Sequence, residues 1–397
     1  MRKYFAVILA VLLVLLCAAP ALAADSTDGF GQYDHVFIIG VDGLGAMWET
    51  LDSPNFDRVF SGGAYRYNAK TETVTISAQN WGAILTGTDA DTHGMTNSSI
   101  EQAERTSDNA TPTIFYYVRQ QYPDALLTSF TNWYPINTGM IETDLGVEKF
   151  DGRGVSVDSV DAYLTDQIVS YLNAGNAPKL FFLQFDEPDH NAHASGADSE
   201  AYRQSCRTAD TLMGRIYDAA VANGLMENGL FIVVADHGEI GFGHGGQSVQ
   251  ESSVVLGVSG SGVSAFVLPE TTRNRDIAAI ALFALGIQKP AHMTAEVPAG
   301  LFSHTHVYDD GVVIQNATCT AQGQKRFTCD CGESYVEPIP ALGHKDADNN
   351  GRCDYCNLEL NAQPGNDDSD FDWSSFWNAI RSFWTRLFSQ IKSLFTR

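Results

Sequence analysis

Three apolar runs of strand length in this chain each stop at an acidic residue: "HVFIIGVDG" at Asp42, "KLFFLQFDEPDH" at Asp186 and "LFIVVADHG" at Asp236. An unbroken apolar run marks a strand buried on both faces, the condition of a largely parallel sheet covered by helices. Between the runs lie segments whose apolar residues recur at three and four, such as "SVDSVDAYLTDQIVSYLN" and "SEAYRQSCRTADTLMGRIYDAAVANG". This alternation, from about residue 33 to 300, predicts an α/β architecture, a central sheet flanked by helices on both faces.

In such sheets ligands gather where the chain leaves the carboxyl ends of the strands. Those ends carry Asp42, then Asp186 and Asp189 with His193, then Asp236 with His237, followed by His244 in "GFGHGGQS". Carboxylate oxygens and imidazole nitrogens suit zinc, and the Asp-x3-His step from Asp189 to His193 brings two donors to one ion. The charge balance makes metal relevant. With 48 acidic against 24 basic residues, the net charge of -24 excludes a nucleic-acid backbone as a structural partner. An anionic substrate then needs a local field that a bound dication supplies.

The stretch "TVTISAQNWGAILTG", residues 73–87, adds hydroxyls at a helix start, with Thr73, Thr75 and Ser77 as candidates for a cap or a nucleophile. Together with "GVDGLG", "DTHGMTN", "EPDHNAH", "ADHGE" and "HGGQS", in this order over about residues 33–270, it resembles the alkaline phosphatase superfamily, specifically its type I phosphodiesterase/nucleotide pyrophosphatase branch. The resemblance implies an alkaline-phosphatase-like sheet and a pair of divalent ions, usually zinc. One ion is expected on Asp42, Asp236, His237 and the nucleophile, the other on Asp189, His193 and His244. The family pattern sets the nucleophile ten residues before the glycine of "LTG", which gives Ser77, and an asparagine three residues on, Asn80. Ser77 stands where diesterase relatives commonly carry Thr, and Thr73 and Thr75 remain the alternatives.

The implied reaction is hydrolysis of a phosphate ester through a phosphoseryl intermediate, with the Asn80 amide and the Ser77 backbone N–H binding a non-bridging oxygen. A phosphodiesterase is the leading expectation, with a phosphomonoesterase, a sulfatase or a non-catalytic surface binding protein as alternatives. A sulfatase would need Cys/Ser-x-Pro/Ala-x-Arg at the nucleophile, whereas Gln79 and Trp81 occupy the two later positions.

The ends carry other signals. Residues 1–24 have the basic start, apolar run and Ala-Leu-Ala ending of a secretory signal, with cleavage expected after Ala23 or Ala24 and a retained anchor as the alternative. The expected hydrolase domain is 25–300, secreted or held at the cell surface of a bacterium. Segment 301–360 holds five of the seven cysteines, and Cys319, Cys329, Cys331, His344, Cys353 and Cys356 suit a structural zinc site, with disulfides the alternative. Within it, Asp346, Asp348, Asn350 and Asp354 are spaced like the start of a calcium loop, but Asn357 replaces the closing Glu. Cys206 reads as a buried thiol on a helix. Residues 361–370 form an acidic linker, and 371–397 form an amphipathic helix with Trp and Phe on one face and Arg and Lys elsewhere. That pattern suits a membrane surface, a partner or the protein's own surface.

Overall fold

The computed structural model describes residues 29–302 and 306–360. The expected signal segment (1–24), acidic linker (361–370) and amphipathic helix (371–397) fall outside the described residues. No helix among the described residues is long and apolar enough to cross a membrane.

The described chain forms two compact units. One comprises residues up to 310 together with 328–334, the other 311–327 and the residues from 335 on. The first is built on an eight-stranded sheet in the order β4-β3-β5-β1-β6-β7-β2-β8, with the short β8 (Phe266–Val267) at one end. β1 (His35–Val41), β5 (Leu180–Phe185) and β6 (Gly229–Ala235) are the three apolar runs, and they are neighbours. Both β5 and β6 pair with β1 in parallel, so Val41 lies beside Phe185 on one side and Ala235 on the other. Asp42, Asp186 and Asp236 therefore leave the sheet side by side at one edge. β3 (Leu127–Thr131) and β4 (Glu148–Asp151) continue the parallel half. β7 (Ser253–Gly260) runs antiparallel to β6 and β2 (Ala64–Lys70), which makes the sheet mixed.

The central runs are buried because helices cover both faces. The helices Pro54–Phe60, Val160–Asn173, Glu187–Ser195 and Glu200–Ala222 pack among themselves, and Ser77–Thr86 packs with Asp276–Ala284. Local signals start them: the Ser159 and Ser199 hydroxyls cap the Val160–Asn173 and Glu200–Ala222 helices, and Pro188 opens Glu187–Ser195. Cys206 sits fully buried on the long helix, as its pattern predicts. The second unit carries a three-stranded sheet, β9 (Val312–Gln315), β10 (Gly323–Thr328) and β11 (Ser334–Ile339).

Candidate active site

The turn after β1 places Asp42 and then Gly43, whose φ of 67° is one that side chains rarely adopt. A Cβ on Gly43 would also come 2.8 Å from Asp189 Cα, so glycine here lets Asp42 and Asp189 approach. Tyr202 of the long helix donates to the Gly43 carbonyl at 2.7 Å and pins this turn.

Asp42 and Asp236, both buried, each spend one oxygen on the protein and leave the other without a hydrogen-bond partner. Asp42 Oδ2 accepts from Trp81 Nε1 at 2.8 Å and Gln184 Nε2 at 3.0 Å, while Oδ1 has none. Asp236 Oδ1 accepts from the backbone N–H groups of Gly43 and His237, while Oδ2 has none. Asp189 Oδ1 is likewise unpaired. Buried polar atoms are seldom left so, and their convergence marks a place for a cation. His237 Nε2 lies 3.1 Å from Asp236 Oδ2, 3.5 Å from Asp42 Oδ1 and 3.2 Å from Ser77 Oγ.

Asp189 and His193 share a face of the Glu187–Ser195 helix, with Nε2 at 3.5 Å from Oδ1, and His244 Nε2 comes within 3.4 Å of the same oxygen. The far nitrogens fix the tautomers: His193 Nδ1 donates to the Phe242 carbonyl at 3.0 Å and His244 Nδ1 to that of Thr75 at 2.6 Å. Both Nε2 lone pairs are thereby free to bind a cation. Two donor groups result, Asp42–Asp189–His237 and Asp189–His193–Glu239–His244, each with its atoms within 4.8 Å of one another. The donor chemistry fits a divalent metal.

Electrostatics agree. Burial first, then the neighbouring carboxylates, pushes Asp42 and Asp236 well above the usual range and lifts Asp186 to about 6 and Glu239 to about 10. Burial and the His244 ring hold His237 well below its ordinary value, so it is neutral. Among the described residues, no Lys or Arg lines the adjoining cavity of about 250 Å³. A cation from solution is the charge that would let these carboxyl groups ionise together.

The three candidate hydroxyls separate cleanly. Ser77 is the first residue of the Ser77–Thr86 helix, makes no side-chain cap and lines the cavity. Thr75 is fully buried, donating to the Gly246 carbonyl and accepting from Gly245 N–H, and Thr73 is exposed outside the cavity lining.

Asn80 departs from expectation. It is fully buried, with Nδ2 donating to the carbonyls of Val74 and Ile76 and Oδ1 accepting from Glu72 N–H and Asn274 Nδ2. A side chain at the fourth residue of a helix points along the helix flank, and here it braces the strand-to-helix turn. Asn97 lines the cavity instead. Its Oδ1 accepts from Ala78 N–H at 3.0 Å, so Nδ2 is the atom of this amide left to donate. Asn97 stands in "DTHGMTN" and Glu239 in "ADHGE", so both lie in motifs that carry the resemblance, but neither has a position in the strand-end pattern that singled out the other residues.

The acidic loop in the second unit has Asp346, Asp348 and Asp354 grouped. Their oxygens accept from the backbone N–H groups of Ala347, Asn350 and Gly351, a loop-stabilising use, and the closing Glu of a calcium loop is missing.

Comparison with known proteins gives a consistent placement. Solved structures with this fold include human ectonucleotide pyrophosphatase/phosphodiesterase 5 (12% identity, 66% of this chain and 97% of that one, TM-score 0.52). The murine protein of that name, in an inactive form in complex with AMP, matches at 12% identity over 65% and 96% with a TM-score of 0.50. A Bacteroides thetaiotaomicron protein described as a sulfatase matches at 14% identity over 78% and 83% with a TM-score of 0.55. At these identities the likeness is one of fold. A comparison with curated proteins finds no match. The profile of one family, however, matches residues 36–241, the span that holds every candidate ligand of this site except His244, and by that match the chain belongs to the type I phosphodiesterase/nucleotide pyrophosphatase family.

Proposed function

We propose that the protein hydrolyses phosphate esters, preferentially diesters or pyrophosphate linkages, through a phosphoseryl intermediate on Ser77. The observation that carries this reading is the convergence of unpaired carboxylate oxygens and imidazole Nε2 atoms on one cavity that also holds the Ser77 hydroxyl. Two divalent ions, one held by Asp42, Asp236, His237 and Ser77 and one by Asp189, His193 and His244, would favour the serine alkoxide and offset phosphoryl charge, with zinc the ion these donors suit.

The chain's own part follows from its geometry. Ser77, its hydroxyl proton released to solvent, attacks phosphorus in line through Oγ as the bond to the leaving oxygen breaks with its electron pair and that oxygen takes a proton from solvent. Water then displaces the serine from phosphorus and returns a proton to Oγ. Ser77 N–H, at a helix N-terminus, and Asn97 Nδ2 donate to a non-bridging oxygen as charge builds there. Glu101 and Asp186 also line the cavity, and without an arginine or lysine they oppose the second negative charge of a monoester. This favours a singly charged diester, and AMP bound by the murine relative accords with a nucleotide-type substrate. A sulfatase is disfavoured because buried Trp81, which supports Asp42, stands where that reaction needs Arg.

Export and membrane-surface association remain part of the reading on sequence grounds alone. The test is a comparison of aryl phosphate diester, monoester and sulfate hydrolysis, each before and after chelation and zinc restoration. The diester should be fastest and chelation should stop it. Fastest turnover of the sulfate, or indifference to chelator, would overturn the reading.

A further inference from the structure

The second unit raises a question of how it stays folded. Among its described residues only Cys319, Gly323 and Cys353 are buried, while Val312, Val313, Ile314, Tyr335, Val336 and Leu358 are exposed. Small units without an apolar core need a crosslink or a metal.

Backbone hydrogen bonds draw three separate segments to one point. Gly343 N–H donates to the Cys319 carbonyl, setting Cys319 beside the residue before His344, and Asp354 N–H donates to the Lys345 carbonyl just after it. The Cys353–Cys356 turn closes with Asn357 N–H on the Cys353 carbonyl and Asn357 at a φ of 58°. Three thiols and one imidazole, Cys319, His344, Cys353 and Cys356, then present donor atoms all within 4.8 Å of one another.

We propose that these four residues bind one structural zinc ion and that the second unit folds around it. Bond lengths of about 2.3 Å to sulfur and 2.0 Å to nitrogen give tetrahedral edges of about 3.8 Å between sulfurs and 3.5 Å from sulfur to nitrogen. The Cys319 and Cys353 sulfurs are 3.6 Å apart, and Cys356 Sγ is 3.4 Å from His344 Nδ1. Three thiols cannot pair off as disulfides within the cluster, and all three are free. A Cys3His set is a structural zinc ligand type, and binding releases the thiol protons to solvent.

The site is distinct from the catalytic cavity and from a three-donor group in the first unit, His306, Cys329 and Cys331. Zinc is therefore read as a difference between variants. Full-length protein purified without chelator should lose one zinc per chain on Cys356→Ser, but not on Cys356→His, which restores a ligand. Limited proteolysis should cut the Cys356→Ser protein within 311–360, while aryl diester hydrolysis is unchanged. Equal zinc in wild type and Cys356→Ser, or Cys319, Cys353 or Cys356 found in a disulfide by mass spectrometry of the unreduced protein, would overturn the proposal. Neither result depends on whether the first unit is a phosphodiesterase.

Discussion

Ser77 Oγ and His237 Nε2 lie 3.2 Å apart, although the two residues enter the site from a helix N-terminus and the end of β6. The same Nε2 faces the unpaired oxygens of Asp42 and Asp236, so the hydroxyl sits at the edge of a cation-seeking group and caps nothing.

Ser77→Ala should thus cut kcat on an aryl diester by at least about a thousandfold, the scale on which covalent hydrolases lose turnover with their nucleophile. Its thermal midpoint should stay close to wild type, because no cap bond is lost. Near-normal turnover with a lowered midpoint would reverse the assignment and make the serine a structural residue.

Asn97 and Asn80 make a paired test. Asn97→Ala removes the amide that lines the cavity and should cost about a hundred- to thousandfold in kcat, with a stability loss of about 1 kcal/mol from the Ala78 N–H left without its partner. Asn80→Ala strips partners from Glu72 N–H and Asn274 in a fully buried place, and should cost on the order of 3 kcal/mol in urea unfolding. A kcat loss confined to Asn80→Ala at unchanged stability would restore Asn80 to the chemistry.

Much of this was legible because burial on both faces leaves a plain trace: β1, β5 and β6 are continuous apolar runs, and their terminal aspartates fall in one row in the fold. Asp189, His193 and His244 were legible by residue type and motif. Asn80 and Asn97 show the limit. Both are asparagines near the nucleophile in sequence, and which amide faces the cavity depends on the packing of the Asn97–Gln102 helix against Ser77–Thr86. The second unit has no apolar periodicity to read, since its described residues bury almost nothing but cysteine.

The helix that carries Ser77 rests on His93, since a Cβ on Gly82 would meet His93 Cε1 at 2.6 Å. His93 Nε2 donates to the Gln79 carbonyl and Nδ1 accepts from Met95 N–H, and burial lowers its pKa from 6.5 to about 4. A histidine depressed in the folded state gives stability that is complete above the unfolded value and declines as pH falls from 6.5 toward 4. Between pH 7 and 5 wild type should lose about 2 kcal/mol more than His93→Gln. Parallel losses in the two proteins by urea unfolding would show that His93 does not set the acid limb.

Glu239 tests the metal reading from a residue outside the strand-end pattern. Its Oε1 lies 3.6 Å from His237 Nδ1, beyond hydrogen-bond distance, and neither Glu239 oxygen nor that nitrogen has a hydrogen-bond partner. A carboxylate at the far nitrogen orients a ligating imidazole and raises its basicity, and such partners are worth about 10- to 100-fold in metal affinity. Glu239 also groups with Asp189, His193 and His244, so its charge acts on both donor groups. Glu239→Gln keeps the shape but removes the charge. It should release zinc at about 10- to 100-fold lower competing chelator, and excess zinc should restore much of the lost aryl diester activity. Unchanged zinc retention together with lost activity would instead place Glu239 in the reaction and remove it from the support of His237.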